Sequence, residues 1–401
     1  MTLWRKLTGR KINPQLAQDL LSKSQQEVEK MPPINIIVAG KTGSGKSTLI
    51  NALFRENIAQ TGIGQPITQE LIRLTKEGVP LTLYDTRGLE LNQEVQQQVQ
   101  ADLLGLIVTQ QDKGEREAIH VVYYCINAMG SRIEPFEIEL IQTLATKVPV
   151  ILVVTQVLGP ENREFHRYLV DLKLNVAAVV PVLAKPYVVA KRQVISAFGL
   201  QTLIDTTLNI VPSQVHRAFI NAQQIDINRK VANARRWAKT YVSSAFGVGF
   251  VPIPFADATL LIPMQITMLA HLTAIFGVSL DKAQIVSLLA GIGGTSGTTY
   301  IGKIMVGSLF KLMPGLGTVS GGLVTGTTAS MLTVALGYSY IEALRHIAKA
   351  EAMGRDLRLK EIQQLMNQSL ETHLQAVSGL LPENVRETFL PEWLRDFLGK
   401  Q

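Results

Sequence analysis

The segment Gly40-Lys41-Thr42-Gly43-Ser44-Gly45-Lys46-Ser47 constrains this chain more than any other. It fits G-x-x-x-x-G-K-[ST], follows an apolar run of strand length, Ile34 to Ala39, and precedes a helical stretch from Thr48 to Phe54. Its glycines permit backbone conformations that turn successive N–H groups toward phosphate oxygens, and the helix N-terminus beyond adds partial positive charge. Lys46 is placed to reach the β- and γ-phosphates of a nucleotide, and Ser47 to ligate Mg²⁺. Lys41, Thr42, Gly43, Ser44, Gly45 and Thr48 complete the predicted cradle.

A second motif narrows the first. The apolar strand Leu81 to Tyr84 delivers Asp85, an acid able to hold Mg²⁺, and Gly88 follows with an N–H able to sense a γ-phosphate. Between the two motifs, Gln65-Pro66-Ile67-Thr68 supplies Thr68 as the candidate to close over Mg²⁺, with Thr61 as its rival. The metal set is therefore Ser47, Thr68 and Asp85. The catalytic set is Lys46, Thr68, Arg87, Gly88 and Glu90.

The strings GKTGSGKSTLINALF, TGIGQPIT and LYDTRGLE resemble the Era-like GTPases of the translation-factor class. Downstream, Ala234-Arg235-Arg236 and Val251-Pro252-Ile253-Pro254-Phe255-Ala256-Asp257 resemble a helical domain of unknown function that bacteria fuse to such GTPases. A more distant likeness is to the immunity-related, interferon-inducible GTPases. The resemblance implies Mg²⁺-dependent hydrolysis of GTP to GDP and phosphate, driving a conformational or assembly cycle, often at a membrane.

Two departures from that pattern matter. The family reads guanine with Asn or Thr, Lys, any residue, Asp; this chain has Thr155-Gln156-Val157-Leu158, without the acid. Base recognition is then expected from Thr155, Gln156 and the Leu183-Ala184-Lys185 loop, where Ala184 and Lys185 match the family's Ser-Ala-Lys. The second departure is Leu89, which stands where small signalling GTPases carry the glutamine that orients the attacking water. Turnover should be slow, with the missing group supplied by Glu90, Arg87, a second copy in a dimer, or a partner.

Strands alternating with helices predict an α/β domain with a mostly parallel sheet and helices on both faces. The expected division is 1–33 as a basic segment and helix, 34–211 as the G domain, 212–350 as an apolar helical domain, and 351–401 as amphipathic helices. Ala258 to Leu280, Ala283 to Gly302 and Leu312 to Ile341 carry no Asp, Glu, Lys or Arg and reach the ~20 residues that span a bilayer. Just before them, residues 212–250 hold six basic residues against one acid. Such placement suits anionic lipid headgroups better than nucleic acid, because basic–aromatic interleaving is missing. The expectation is a cytoplasmic protein, without a cleavable signal, on the cytoplasmic face of a membrane; the competing reading is a soluble or ribosome-associated GTPase with a structural helical domain. One cysteine among 401 residues excludes an intrachain disulfide framework.

Overall fold

The computed structural model describes residues 14–55, 63–68, 71–86, 93–190, 193–250, 258–278, 280–292 and 321–379. They divide into two compact units, Val28–Asp226 and a second joining Met1–Glu27 to Ile227–Gln401.

The first unit is a seven-stranded sheet with helices. Its strands are β1 Ile34–Ala39, β2 Ile63–Pro66, β3 Leu71–Thr75, β4 Leu81–Thr86, β5 Val121–Asn127, β6 Val150–Thr155 and β7 Ala178–Val182. They lie in the order β2-β3-β4-β1-β5-β6-β7. The pairs from β4 through β7 are parallel, and β2 and β3 are added antiparallel. Every residue of β1 and β6 is buried, as strands covered on both faces require. The one polar residue of β1, Asn35, gives its side-chain amide to the carbonyls of Arg116 and Ala118, while its N–H donates to Nδ1 of His120. Pro181 is tolerated because β7 is an edge strand. A two-stranded hairpin, β8 Tyr187–Ala190 with β9 Gln193–Ile195, follows.

The helices of this unit are α2 Lys46–Leu53, α3 Gln93–Asp112, α4 Pro135–Ala145, α5 Pro160–Asp171, α6 Leu200–Ile210 and α7 His216–Ala222, preceded in the chain by α1 Pro14–Glu29. The unit continues beyond Pro212, where the sequence predicted its end. Phe219 of α7 meets Phe54 edge-on at 6.1 Å, Asn221 accepts from Arg55 at 2.9 Å, and Gln224 N–H donates to the Leu53 carbonyl.

The sequence predicts one helix from Asn221 to Thr240; the structure corrects this. Oε1 of Gln223 accepts the N–H groups of Ile225 and Asp226, a side-chain turn that stops α7 and lets α8 Ile227–Phe250 start afresh. That helix then runs through Gly247 and Gly249 to Phe250.

The second unit packs α1, α8, α9 Ala258–Phe276, α10 Lys282–Ile292, α11 Gly321–Ala352 and α12 Leu359–Gly379 around a shared apolar core. Met268, Leu272, Leu288, Leu344, Ile362 and Met366 are fully buried in it. Polar groups inside are paired: the hydroxyls of Tyr340 and Thr273 meet at 2.8 Å, and Lys230 donates to the Phe276 carbonyl at 2.6 Å, neutralising the end of α9. No helix among the described residues is long and apolar enough to cross a membrane. Residues 321–341 of the uncharged stretch ending at Ile341 lie in a 32-residue helix, Gly321–Ala352, that continues through Glu342, Arg345 and Lys349. Of the segments singled out in the sequence, Val251 to Asp257 and residues 293–302 and 312–320 of the uncharged stretches lie outside the described residues.

Lys230→Ala would leave a cavity and strip the Phe276 carbonyl of this donor, costing the helical unit roughly 2–4 kcal/mol. Amide hydrogen exchange in the full chain would show protection falling in α8 and α9 and unchanged in β1 and β6.

Candidate functional site

The loop between β1 and α2 has its carbonyls tied from outside. Nζ of Lys46 donates to the carbonyls of Gly40 at 2.7 Å and Lys41 at 3.1 Å. The Gly43 carbonyl takes Nδ2 of Asn127 at 3.1 Å and Nε2 of Gln156 at 3.4 Å. The Ser44 carbonyl takes the Thr155 hydroxyl at 2.6 Å. The Ser44 N–H turns back to the Lys41 carbonyl at 3.1 Å, while the peptides whose carbonyls belong to Gly40, Lys41 and Ser44 leave their opposite edges, the N–H groups, to face a ligand.

Two glycines are dictated by contact. Gly40 sits at φ +137°, and a Cβ there would lie 2.3 Å from the Cys125 carbonyl oxygen, so β5 and the loop approach as only glycine allows. Gly45, at φ +87°, is the N-cap of α2, and its missing Cβ would press on the Thr155 hydroxyl at 3.3 Å. Thr42, Gly43, Ser47 and Thr48 are exposed around the loop. The Ser44 hydroxyl is buried with no hydrogen-bond partner among the described residues.

Lys41 turns away from the loop's mouth. Its Nζ bridges Glu134 at 2.8 Å and Glu137 at 3.1 Å, the two members of the capping box at the N-terminus of α4. Glu137 is 3% exposed and also accepts from the Tyr124 hydroxyl. Burial by itself would lower the Lys41 ammonium, but the hydrogen bonds and charges of the two carboxylates outweigh it and hold the group above its ordinary value. The hydrogen bond from Lys41 in turn holds Glu134 below the usual carboxylate range.

The remaining predicted residues share the carboxyl-terminal edge of the sheet. Asp85 stands beside Val38 in the β1–β4 register, and Thr68 lies at the β2–β3 turn, its N–H bonded to the carbonyl of Leu71, the residue paired with Thr86. Asn127, Thr155 and Val182 form one row across β5, β6 and β7. Gln156 follows at φ +56°, and Val157 returns to the core. Ala184 is half-buried and Lys185 exposed, just past Leu183, whose backbone pairs with Phe198. Thr155 was expected at the base; its hydroxyl instead binds the Ser44 and Ile126 carbonyls, so the side chain braces the phosphate loop. Arg87, Gly88, Leu89, Glu90 and Thr61 lie outside the described residues.

Sequence reasoning missed Asn127, Asn162, Glu134 and Glu137. Asn162 accepts the N–H groups of Leu158 and Gly159 and donates to the Ala128 carbonyl, fixing the loop after β6. The Glu134-x-x-Glu137 spacing ahead of an apolar helix was the available signal for the α4 pair.

Thr155→Val keeps the shape and removes the brace; nucleotide affinity should fall about tenfold, with calorimetric titration as the measure. The Lys41 bridge has a pH window. Glu134, with its value depressed, stabilises fully above its ordinary 4.5 and loses that contribution as pH falls through the lowered value; Lys41, raised, stabilises fully below its ordinary 10.5 and loses it above. The melting-temperature gap between the chain and Lys41→Met should therefore be widest from pH 6 to 9 and shrink in acid.

Residues 35–156 match the family model described as 50S ribosome-binding GTPase, and residues 217–372 match the one described as domain of unknown function (DUF697). Septin-12 of Homo sapiens is 28% identical over 169 residues, 35% of this chain and 46% of that one. The tRNA modification GTPase MnmE of Dichelobacter nodosus is 36% identical over 86 residues, 21% and 19% of the two chains, and GTPase Der of Dinoroseobacter shibae 36% over 73 residues, 18% and 15%. The chain thus spans less than half the length of these relatives. Among solved structures, the G domain of the T. maritima FeoB iron transporter is 19% identical, covering 44% of this chain and 98% of that one with a TM-score of 0.28. The loop, the sheet beneath it and the family match agree: the chain carries a P-loop GTPase domain followed by a DUF697 region.

Proposed function

We propose that the chain binds GTP with Mg²⁺ and hydrolyses it to GDP and phosphate, the nucleotide state controlling self-association and contact with an anionic membrane surface. The observation that carries the nucleotide reading is the loop of residues 40–47 with its carbonyls bound by Lys46, Asn127, Thr155 and Gln156. Such a loop presents N–H groups and an ammonium to phosphate oxygens.

The donor set fits Mg²⁺. Ser47 and Asp85 are hard oxygen donors on neighbouring elements, and the described residues contain no His, Cys, Asp and Glu cluster able to hold a metal alone. A magnesium ion with few protein ligands is one shared with nucleotide phosphates, where it neutralises developing charge on the transferred group. Thr68, at the same sheet edge, is the side chain we assign to closing over it. Lys46, released from the Gly40 and Lys41 carbonyls, would then meet the β- and γ-phosphates. Leu89 cannot orient a water, so the group that does so comes from Arg87, Glu90, a second copy or a partner, and unassisted turnover is slow.

Support for the membrane reading is the exposed basic face of α8, Arg235, Arg236 and Lys239, ahead of the uncharged stretches. Peripheral contact at the cytoplasmic face through such a helix needs no spanning segment. Support for self-association is the missing water-orienting side chain and the exposed Tyr187, Val188, Val189 and Val194 of the β8–β9 hairpin. The family description names ribosome binding, which makes that the second reading.

Phosphate release from GTP should require Mg²⁺ and fall at least a hundredfold in Lys46→Ala, with the fold kept by circular dichroism. Flotation with anionic liposomes should be strongest with a non-hydrolysable GTP analogue; a chain that stays at the bottom in every nucleotide state and instead sediments with ribosomes would reverse the membrane reading.

A further inference from the structure

Beyond the phosphates, the two loops that flank the base position offer hydrogen-bond donors but no carboxylate. The row Asn127, Thr155, Val182 puts the ends of β5, β6 and β7 side by side, so a nucleotide held at the β1 loop extends its base toward residues 155–159 and 183–186. Those segments read Thr-Gln-Val-Leu-Gly and Leu-Ala-Lys-Pro. Their side-chain polar groups are largely spent inside the protein. The Thr155 hydroxyl donates to the Ser44 carbonyl, the Gln156 amide to the Gly43 carbonyl, and Asn127 splits its amide between the Gly43 carbonyl and the Met129 N–H. Asn162, just behind, is used three times over. Leu158, half-buried at the turn with its N–H on Asn162, places an apolar side chain there.

Along its Watson–Crick edge a guanine shows one acceptor, O6, and two kinds of donor, N1–H and the 2-amino group. The backbone N–H groups of Ala184 and Lys185, beyond the paired Leu183, suit O6; nothing in the two segments carries the negative charge that would reward the 2-amino group.

We infer that this site recognises its nucleotide by the 6-oxo group alone, taking 6-oxopurine triphosphates with or without the 2-amino group, and that Leu158 is the residue that relaxes the reading. The inference rests on the GTP-binding reading. Adenine remains disfavoured, because its 6-amino group meets backbone donors with another donor.

The test is displacement of a fluorescent GDP analogue from the full chain with Mg²⁺ by GTP, inosine triphosphate and ATP. GTP and inosine triphosphate should compete within about threefold, and ATP about tenfold or more weakly. In Leu158→Asp the new carboxylate should accept from the 2-amino group and widen the preference for GTP over inosine triphosphate to about tenfold or more. Leu158→Asn, uncharged and of the same shape as the aspartate, should widen it less, with circular dichroism checking that both variants fold. A wild-type chain that already rejects inosine triphosphate tenfold, or a Leu158→Asp chain with an unaltered ratio, overturns this inference and leaves GTP binding standing. A chain that binds none of the three overturns the nucleotide reading with it.

Discussion

Everything at the nucleotide site follows from where eight residues of backbone are forced to point their carbonyls. Gly40 can pass within contact of the Cys125 carbonyl only because it lacks a Cβ, and that approach sets the path of the loop over β5. From there Lys46, Asn127, Gln156 and Thr155 each donate to a loop carbonyl. Peptide planarity does the rest, since a plane whose oxygen is held on one side offers its N–H on the other. The phosphate cradle is thus a property of four donors on two strand ends and one helix, and the parallel pairing of β5 with β6 brings those ends together.

The same economy explains Lys41. A second ammonium in the mouth of the loop would compete with Lys46 for phosphate; here it is anchored on Glu134 and Glu137, with Tyr124 completing the buried group. One charge therefore serves the ligand and the other joins the loop to α4. The helical unit uses polar groups in a parallel way. Glu27 and Tyr241 meet His271 on its two ring nitrogens while Trp237 stacks on it at 4.8 Å, tying α1, α8 and α9 together beside the apolar core.

What the sequence made legible were elements with their own local signal. β1 was read to the residue because its apolar run is bounded by proline and glycine, and α2 within two residues because the G-x-x-x-x-G-K-S string specifies the strand, loop and helix around itself. Elements that exist through a partner were invisible. Ile63–Pro66 becomes a strand by pairing antiparallel with β3, and the β8–β9 hairpin has one side chain pattern that a loop would share. The break at Gln223 was hidden because it depends on a side chain folding back onto two N–H groups, not on glycine or proline. At the site, the motif residues were legible and their braces were not: Asn127 and Asn162 act through carbonyls and N–H groups that only the fold brings near.

The two ends of the site are built to different standards, and that difference has a physical consequence. At the phosphate end the Gly43 carbonyl takes two donors and Lys46 makes two contacts, while the Ser44 carbonyl depends on Thr155. At the base end Leu158 and the Leu183–Lys185 turn rely on main-chain groups, with side chains spent on holding the loops themselves. Binding energy concentrated on phosphates is energy that changes when the γ-phosphate leaves, whereas energy spent on the base is the same before and after hydrolysis. A chain that places its polar contacts at the phosphates therefore gains the largest free-energy difference between triphosphate and diphosphate states from a given number of hydrogen bonds. That difference, and not the tightness of binding, sets how far the nucleotide can shift any conformational equilibrium coupled to it.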